Sequence, residues 1–244
     1  MRIARVYVQA TPKAGERFVI GGDAASHLAR VLRLTAGDSL VLFDGRGNEY
    51  PARIAELRKS AVSVEVLEQR APQRESPLPV TLAQGLCRGE RMDFVIQKAT
   101  ELGVARIIPV LSERTVVRLD AARAHARLQH WRAVAISACE QCGRNQLPEI
   151  TEPVGIPQLA ATLPAGGERL LLSPLGTTSL AEIAHARAGI IVLIGPEGGL
   201  AESEEQLCVR SGFRMIRLGP RILRTETAAL AALAVLQARW GDLV

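Results

Sequence analysis

The chain has 244 residues, 48% of them hydrophobic, which is enough for one large domain or two smaller ones, each with its own core. Its net charge of +5 permits a polyanionic partner without demanding one, and only Lys13, Lys59 and Lys98 interrupt an otherwise all-arginine set of 30 cations; arginine forks suit phosphate, and genomic base composition accounts for the skew equally well. No apolar run approaches the ~20 residues of a membrane span, Met1-Arg2-Ile3-Ala4-Arg5 lacks a signal-peptide core, the four histidines show no metal spacing, and the four cysteines fit a reducing cytoplasm, with Cys139 and Cys142 lacking the second pair a structural zinc needs.

Residues 1 to about 70 read as short strands. Arg5 to Gln9, Ser39 to Phe43, Glu49 to Leu57 and Ala61 to Leu67 alternate, and Asp44-Gly45-Arg46-Gly47-Asn48 is a hairpin turn. One helical piece, His27 to Leu34, interrupts them, with Leu28, Val31 and Leu32 at helical spacing and Arg30 and Arg33 elsewhere on its surface. The pattern predicts a small β-barrel with one helix. Over residues 1–74 there are 12 basic and 8 acidic residues, so the charge excess is concentrated here. A contact with a polyanion and an ordinary solvated face are both open readings of that excess. Ala71 to Pro79 is Pro-rich and polar and marks the domain boundary, giving domains 1–71 and 77–244.

From Val80 strands alternate with helices. Val80 to Leu86 is a strand. Arg91 to Leu102 is a helix with Met92, Val95, Ile96, Ala99 and Leu102 on one face, stopped by Gly103. Strand Ala105 to Leu111, a helix from about Ala122 to Cys142 and strand Leu170 to Leu172 follow. Next come strand Ile190 to Ile194, an acidic helix from about Glu202 to Arg210, strand Met215 to Leu218 and a helix from about Thr227 to Arg239. This order implies α/β layers around a mostly parallel sheet.

Two strands run straight into Gly-Pro turns. Ile190 to Ile194 has no polar break, as expected of a strand buried on both faces, and leads into Gly195-Pro196-Glu197-Gly198-Gly199-Leu200. Ile216-Arg217-Leu218 leads into Gly219-Pro220-Arg221-Ile222-Leu223-Arg224-Thr225-Glu226-Thr227. Ligands of open α/β sheets sit at the carboxyl ends of strands, and glycines there let backbone approach a ligand closely. Neither turn has the G-x-G-x-x-G spacing of a dinucleotide fingerprint or the G-K-[ST] of a Walker loop.

These two stretches, with Met92 to Gly103, Ser112-Glu113-Arg114, Glu140 to Arg144 and His27 to Leu34, resemble the ribosomal small-subunit RNA methyltransferase E family over nearly the whole chain. The resemblance implies a PUA-like barrel followed by a SPOUT domain with a deep C-terminal trefoil knot. It implies S-adenosylmethionine as methyl donor, a homodimer, a cytoplasmic location, and methylation at N3 of a uridine in the decoding region of 16S rRNA in the 30S subunit. No metal is expected. One departure is visible. Family members often carry Ser or Thr just after Gly-Gly-Leu, where this chain has Ala201. The lost helix cap is worth about 1 kcal/mol unless Glu202 or Ser203 starts the helix.

On that resemblance, Leu172, Ser173, Gly195, Pro196, Glu197, Gly198, Leu218, Gly219, Ile222 and Leu223 are assigned to the cofactor pocket. Glu197 either bonds ribose hydroxyls or serves as a turn carboxylate. Methylation at N3 needs the imide proton removed and the uridine unpaired. Arg224 is the candidate for stabilising the uracilate oxygens and Glu226 for accepting the proton; the alternative is a structural Arg224–Glu226 ion pair bracing the turn. Arg5, His27, Arg30, Arg33, Arg88, Arg91 and Arg144 are candidates for RNA contacts. A SPOUT enzyme with another RNA target, and a non-catalytic RNA-binding or ribosome-assembly factor, remain open alternatives.

Overall fold

The computed structural model describes residues 3–58, 60–115, 120–163, 166–183 and 188–243. Met1, Arg2 and Lys59 lie outside the described residues. The chain divides into two compact units: residues 1–75 with 139–147, and residues 76–138 with 148–244.

The first unit contains β1 (Ala4–Tyr7), β2 (Arg17–Gly21), α1 (Gly22–Ser26), a π-helical turn (His27–Val31), β3 (Ser39–Phe43), β4 (Glu49–Arg58) and β5 (Ala61–Val66). They form one sheet in the order β1-β3-β4-β5-β2, antiparallel except for β1 beside β3. Alternation puts Leu40, Leu42, Tyr50, Ile54, Val62 and Val64 into one core, which Leu28 and Ala25 close from the helical segment. That segment departs from the expected single α-helix over His27 to Leu34. The α-turns come earlier, from Gly22, and His27–Val31 has the wider π pattern.

The hairpin turn between β3 and β4 is organised by Asp44. Its carboxylate accepts from the Arg46 and Asn48 N–H groups, the Asn48 amide and the Tyr50 hydroxyl. Burial pushes this carboxyl up, but those donors outweigh it and leave its pKa lowered.

The second unit holds an eight-stranded sheet: seven strands in the order β11 (Thr178–Ser179), β13 (Arg214–Arg217), β10 (Glu168–Leu172), β12 (Ile190–Ile194), β6 (Val80–Gly85), β7 (Arg106–Leu111) and β8 (Glu149–Ile150), and the eighth, β9 (Val154–Gly155), also on β7. In chain order it comprises β6 (Val80–Gly85), α2 (Arg91–Glu101), β7 (Arg106–Leu111), α3 (Ala121–Cys142), β8 (Glu149–Ile150), β9 (Val154–Gly155) and α4 (Ile156–Thr162). Then follow β10 (Glu168–Leu172), β11 (Thr178–Ser179), β12 (Ile190–Ile194), α5 (Glu202–Arg210), β13 (Arg214–Arg217) and α6 (Thr225–Trp240). The last four residues of α3 are grouped with the first unit. Every pairing among the described residues of this sheet is parallel.

Parallel sheets need cover on both faces, and β12 shows why its sequence is apolar throughout. Ile190, Val192 and Ile194 belong to a core with α2, α3 and α6 residues such as Met92, Ile96, Trp131, Leu233 and Leu236. Ile191 and Leu193 belong to a second core with Ile156 and Leu159 of α4 and Cys208 of α5. Helix α6 begins at Thr225, two residues earlier than the apolar pattern suggests.

Candidate cofactor cleft

Three neighbouring strands end at the same height. Leu172 of β10 is in register with Ile194 of β12 on one side and with Ile216 of β13 on the other. The segments that follow, Ser173-Pro174, Gly195 to Leu200 and Arg217 to Arg224, therefore leave the sheet together. They enclose a solvent-open cleft with about 670 Å³ of empty space.

Of the residues expected there, Leu172, Ser173, Gly195, Glu197, Leu218, Ile222 and Leu223 line the cleft. Both Gly-Pro corners thus face one space. Pro196, Gly198 and Gly219 stand behind this lining, and each has another task. Pro196 is buried, and its ring and nitrogen lie against the open Cα face of Gly85. Gly198 sits beneath Arg114, whose guanidinium donates to its carbonyl (3.2 Å). Gly219 turns the chain in the left-handed region at φ 72°.

Pro174, Ile194, Ile216, Arg217, Arg221, Thr225 and Ala228 complete the lining. Thr225 has a further role that no sequence pattern announced. Its hydroxyl donates to the Gly195 carbonyl (2.7 Å) and accepts from the Gln84 amide (2.8 Å). Both side chains are buried, so these bonds hold the first corner against the start of α6.

The charged end of the cleft is Glu197. Its Oε1 accepts from the Arg88 N–H (3.1 Å) and from Arg91 Nη1 (3.1 Å). Burial pushes the Glu197 carboxyl up, but these donors and its own N–H outweigh burial, so its pKa lies below the usual value. Arg91 Nε also stands 4.0 Å from Glu226 Oε1. One guanidinium therefore links the two carboxylates. Arg88, Gly89, Arg91 and Glu197 line an adjoining shallow cleft.

The ion pair at this helix start is Arg91–Glu226, not the Arg224–Glu226 brace that stood as the alternative to a catalytic role. Residues two apart around a helix start do not face each other. Arg224 is the exposed N-cap of α6, whereas Glu226 is largely buried and its Oε2 has no hydrogen-bond partner among the described residues.

The start of α5 answers the question raised by Ala201. Ala201 is the N-cap and supplies no side-chain bond. Glu204 instead accepts from the Ala201 N–H (2.9 Å) and the Glu113 N–H (3.0 Å), tying the helix start to the turn after β7. Glu202, Glu204 and Glu205 favour the positive end of the helix. Burial raises the Cys87 thiol to about 12, so it offers no nucleophile beside the cleft. No cluster of metal-ligating side chains occurs among the described residues.

The residues expected to touch RNA fall into three groups. Arg5 and Arg144 are internal. Arg5 bonds Glu49 (3.0 Å) and Asn145 and lies over the Phe43 ring, and Arg144, 7% exposed, bonds Glu75 (3.0 and 2.6 Å). Their guanidiniums bond within the first unit. Arg91 is held by Glu197. His27, Arg30, Arg33 and Arg88 are exposed.

Comparison with known proteins agrees with this geometry. Residues 74–237 match the RNA methyltransferase domain family and residues 20–67 the RNA methyltransferase PUA domain family. A protein from Legionella pneumophila solved with bound SAM is 39% identical, with both chains fully covered and a TM-score of 0.96. The ribosomal RNA small subunit methyltransferase E of Neisseria gonorrhoeae, bound to S-adenosyl methionine, is 39% identical over the whole of both chains with a TM-score of 0.94. The Mycobacterium bovis protein of the same name is 35% identical, covering 96% of this chain and 92% of its own. Carrying both matched domains and aligning end to end with these proteins, the chain belongs to the ribosomal RNA small subunit methyltransferase E family.

Proposed function

We propose that this chain methylates N3 of a uridine in the decoding region of 16S rRNA, using the cleft where its two Gly-Pro corners meet. As a family member it is an S-adenosylmethionine-dependent methyltransferase of small-subunit ribosomal RNA. The convergence of Gly195 and Glu197 with Leu218, Ile222 and Leu223 on one space carries the reading.

The residues present fit the cofactor. Leu172, Leu218, Ile222 and Leu223 offer apolar surface for a purine, backbone at Gly195 and Leu218 offers polar atoms for its edge, and Glu197 offers an anion to ribose hydroxyls or a cation. When bound, S-adenosylmethionine supplies an electrophilic methyl group. The chain's own residues then have four tasks. The corners hold the ligand and exclude water. Glu226, held beside Arg91 at the start of α6, takes the N3 proton. Arg224, exposed at the start of α6, stabilises the oxygens of the uracil anion. Arg88 beside Glu197, and His27, Arg30 and Arg33, contact RNA.

By resemblance, the same reading includes a SPOUT domain over 77–244 with a deep trefoil knot, a PUA-like RNA-binding barrel over 1–71, a homodimer, and work in the cytoplasm on the 30S subunit. Mass mapping of nucleosides in 16S rRNA, from cells with and without the gene, tests it. We expect one 3-methyluridine to vanish on deletion and return with the wild-type chain. Its persistence in the deletion strain refutes the assignment.

A further inference from the structure

The helical segment of the first unit ends in a strained way. Leu32 N–H bonds to the His27 carbonyl (3.0 Å) and Leu34 N–H to the Leu28 carbonyl (3.1 Å). Between them Arg33 takes φ 53°, and it is the only non-glycine in the left-handed region among the described residues. Helices usually place Gly at this position, because a Cβ there crowds the following carbonyl oxygen. An arginine in the glycine position, next to a π-turn, is the kind of local strain that persists where a side chain is needed outside the fold.

What the turn displays is specific. Ala25 and Leu28 are buried at 2% and 0% and anchor the segment. The next residues, Arg30, Val31, Leu32 and Arg33, are all exposed, with Val31 at 65% and Leu32 at 41%. Among the described residues neither Arg30 nor Arg33 forms an ion pair within the chain. The result is an outward aliphatic pair flanked by two available guanidiniums, in the part of the chain that holds most of its excess positive charge.

We infer that Arg30-Val31-Leu32-Arg33 is a grip for single-stranded RNA, in which the arginines take successive phosphates while Val31 and Leu32 pack against an unstacked base. This rests on the reading of the chain as an rRNA-modifying enzyme and gives the RNA contact of the first unit its form. Cations on both sides of the apolar pair match a polyanion better than an apolar protein groove. Aliphatic side chains need an open base face, which a single strand presents and a paired duplex stacks away.

The test uses the full chain, a labelled single-stranded RNA of mixed sequence, and the same strand annealed to its complement. Arg33→Gly relieves the backbone, so its melting temperature should equal or exceed the wild type. Its affinity for the single strand should fall at least about threefold, with a salt slope smaller by roughly one. Val31→Ser with Leu32→Ser should weaken single-strand binding at least about threefold, leaving the salt slope and duplex binding unchanged. Unaltered single-strand binding by both variants overturns the grip. So does a lower melting temperature for Arg33→Gly, or an equal loss on duplex and single strand for the serine pair. S-Adenosylmethionine uptake, followed by calorimetry, should match wild type in every variant. A wild-type chain that takes up the cofactor but binds neither RNA refutes the functional reading itself; variants that bind like a wild type active on rRNA refute only the grip.

Discussion

Gly85→Ala is the sharpest probe of the cleft. Gly85 ends β6, and an added Cβ would lie 2.6 Å from the Gly195 carbonyl carbon and 2.7 Å from Pro196 Cδ, with the Pro196 nitrogen also in the way. Ordinary carbon contacts begin near 3.5 Å, so the Gly195-Pro196 corner must retreat by about 1 Å. The obstacle is backbone and a closed ring, which cannot rotate aside. Overpacking of this kind costs about 1–3 kcal/mol, or a melting point lower by roughly 2–12 °C for a chain of this size. A displacement of about 1 Å at a binding corner weakens productive geometry by up to ~100-fold. Calorimetric titration with S-adenosylmethionine, paired with thermal melting, reads both effects. Gly199→Ala is the control: it sits at φ 70° with open space around its Cβ, so it strains the turn without pushing the corner. Equal cofactor affinity in Gly85→Ala and wild type, with unchanged melting, would show that the corner's position does not matter.

Thr225→Val keeps the shape but removes the donor to Gly195 and the acceptor for Gln84. We expect a loss of about 1–3 kcal/mol in urea unfolding, and a change under half a kcal/mol contradicts the bracing role. Glu226→Gln should slow single-turnover methyl transfer by ~10²-fold or more, and Arg224→Ala by ~10²-fold; near-wild-type rates in both rule out the catalytic assignment. Thiol labelling gives a structural check. Cys142 is exposed, whereas burial raises Cys87 to about 12 and Cys208 to about 11, and Cys139 is buried too. A maleimide at pH 8 should therefore add one label to the native chain, at Cys142, and rapid labelling of Cys87 counts against the packing described.

Much of the α/β unit was legible because its forces are local. The unbroken apolar run Ile190–Ile194 announces a strand covered on both faces, and the structure splits it between two cores. At the Gly-Pro corners, the left-handed dihedrals of Gly199 and Gly219 are what their glycines signal in advance. Bonds between distant segments left no local trace. Nothing near Thr225 points to Gln84, and nothing near Arg91 points to Glu197 or Glu226. The π-turn escaped because Leu28, Val31 and Leu32 have the spacing of an ordinary helix, while the wider bonding turns Val31 and Leu32 outward. Arg33 hid the end of that segment, since the usual signal for a left-handed stop is glycine.

The common height of Leu172, Ile194 and Ile216 has a consequence for truncated chains. The third wall of the cleft, from Ile216 to Ala228, follows the other two in the chain. A chain cut before Ile216 keeps the segments after β10 and β12 but loses Ile216, Arg217, Leu218, Arg221, Ile222, Leu223, Thr225 and Ala228 from the lining. Such a fragment leaves the cleft open along the whole of that side.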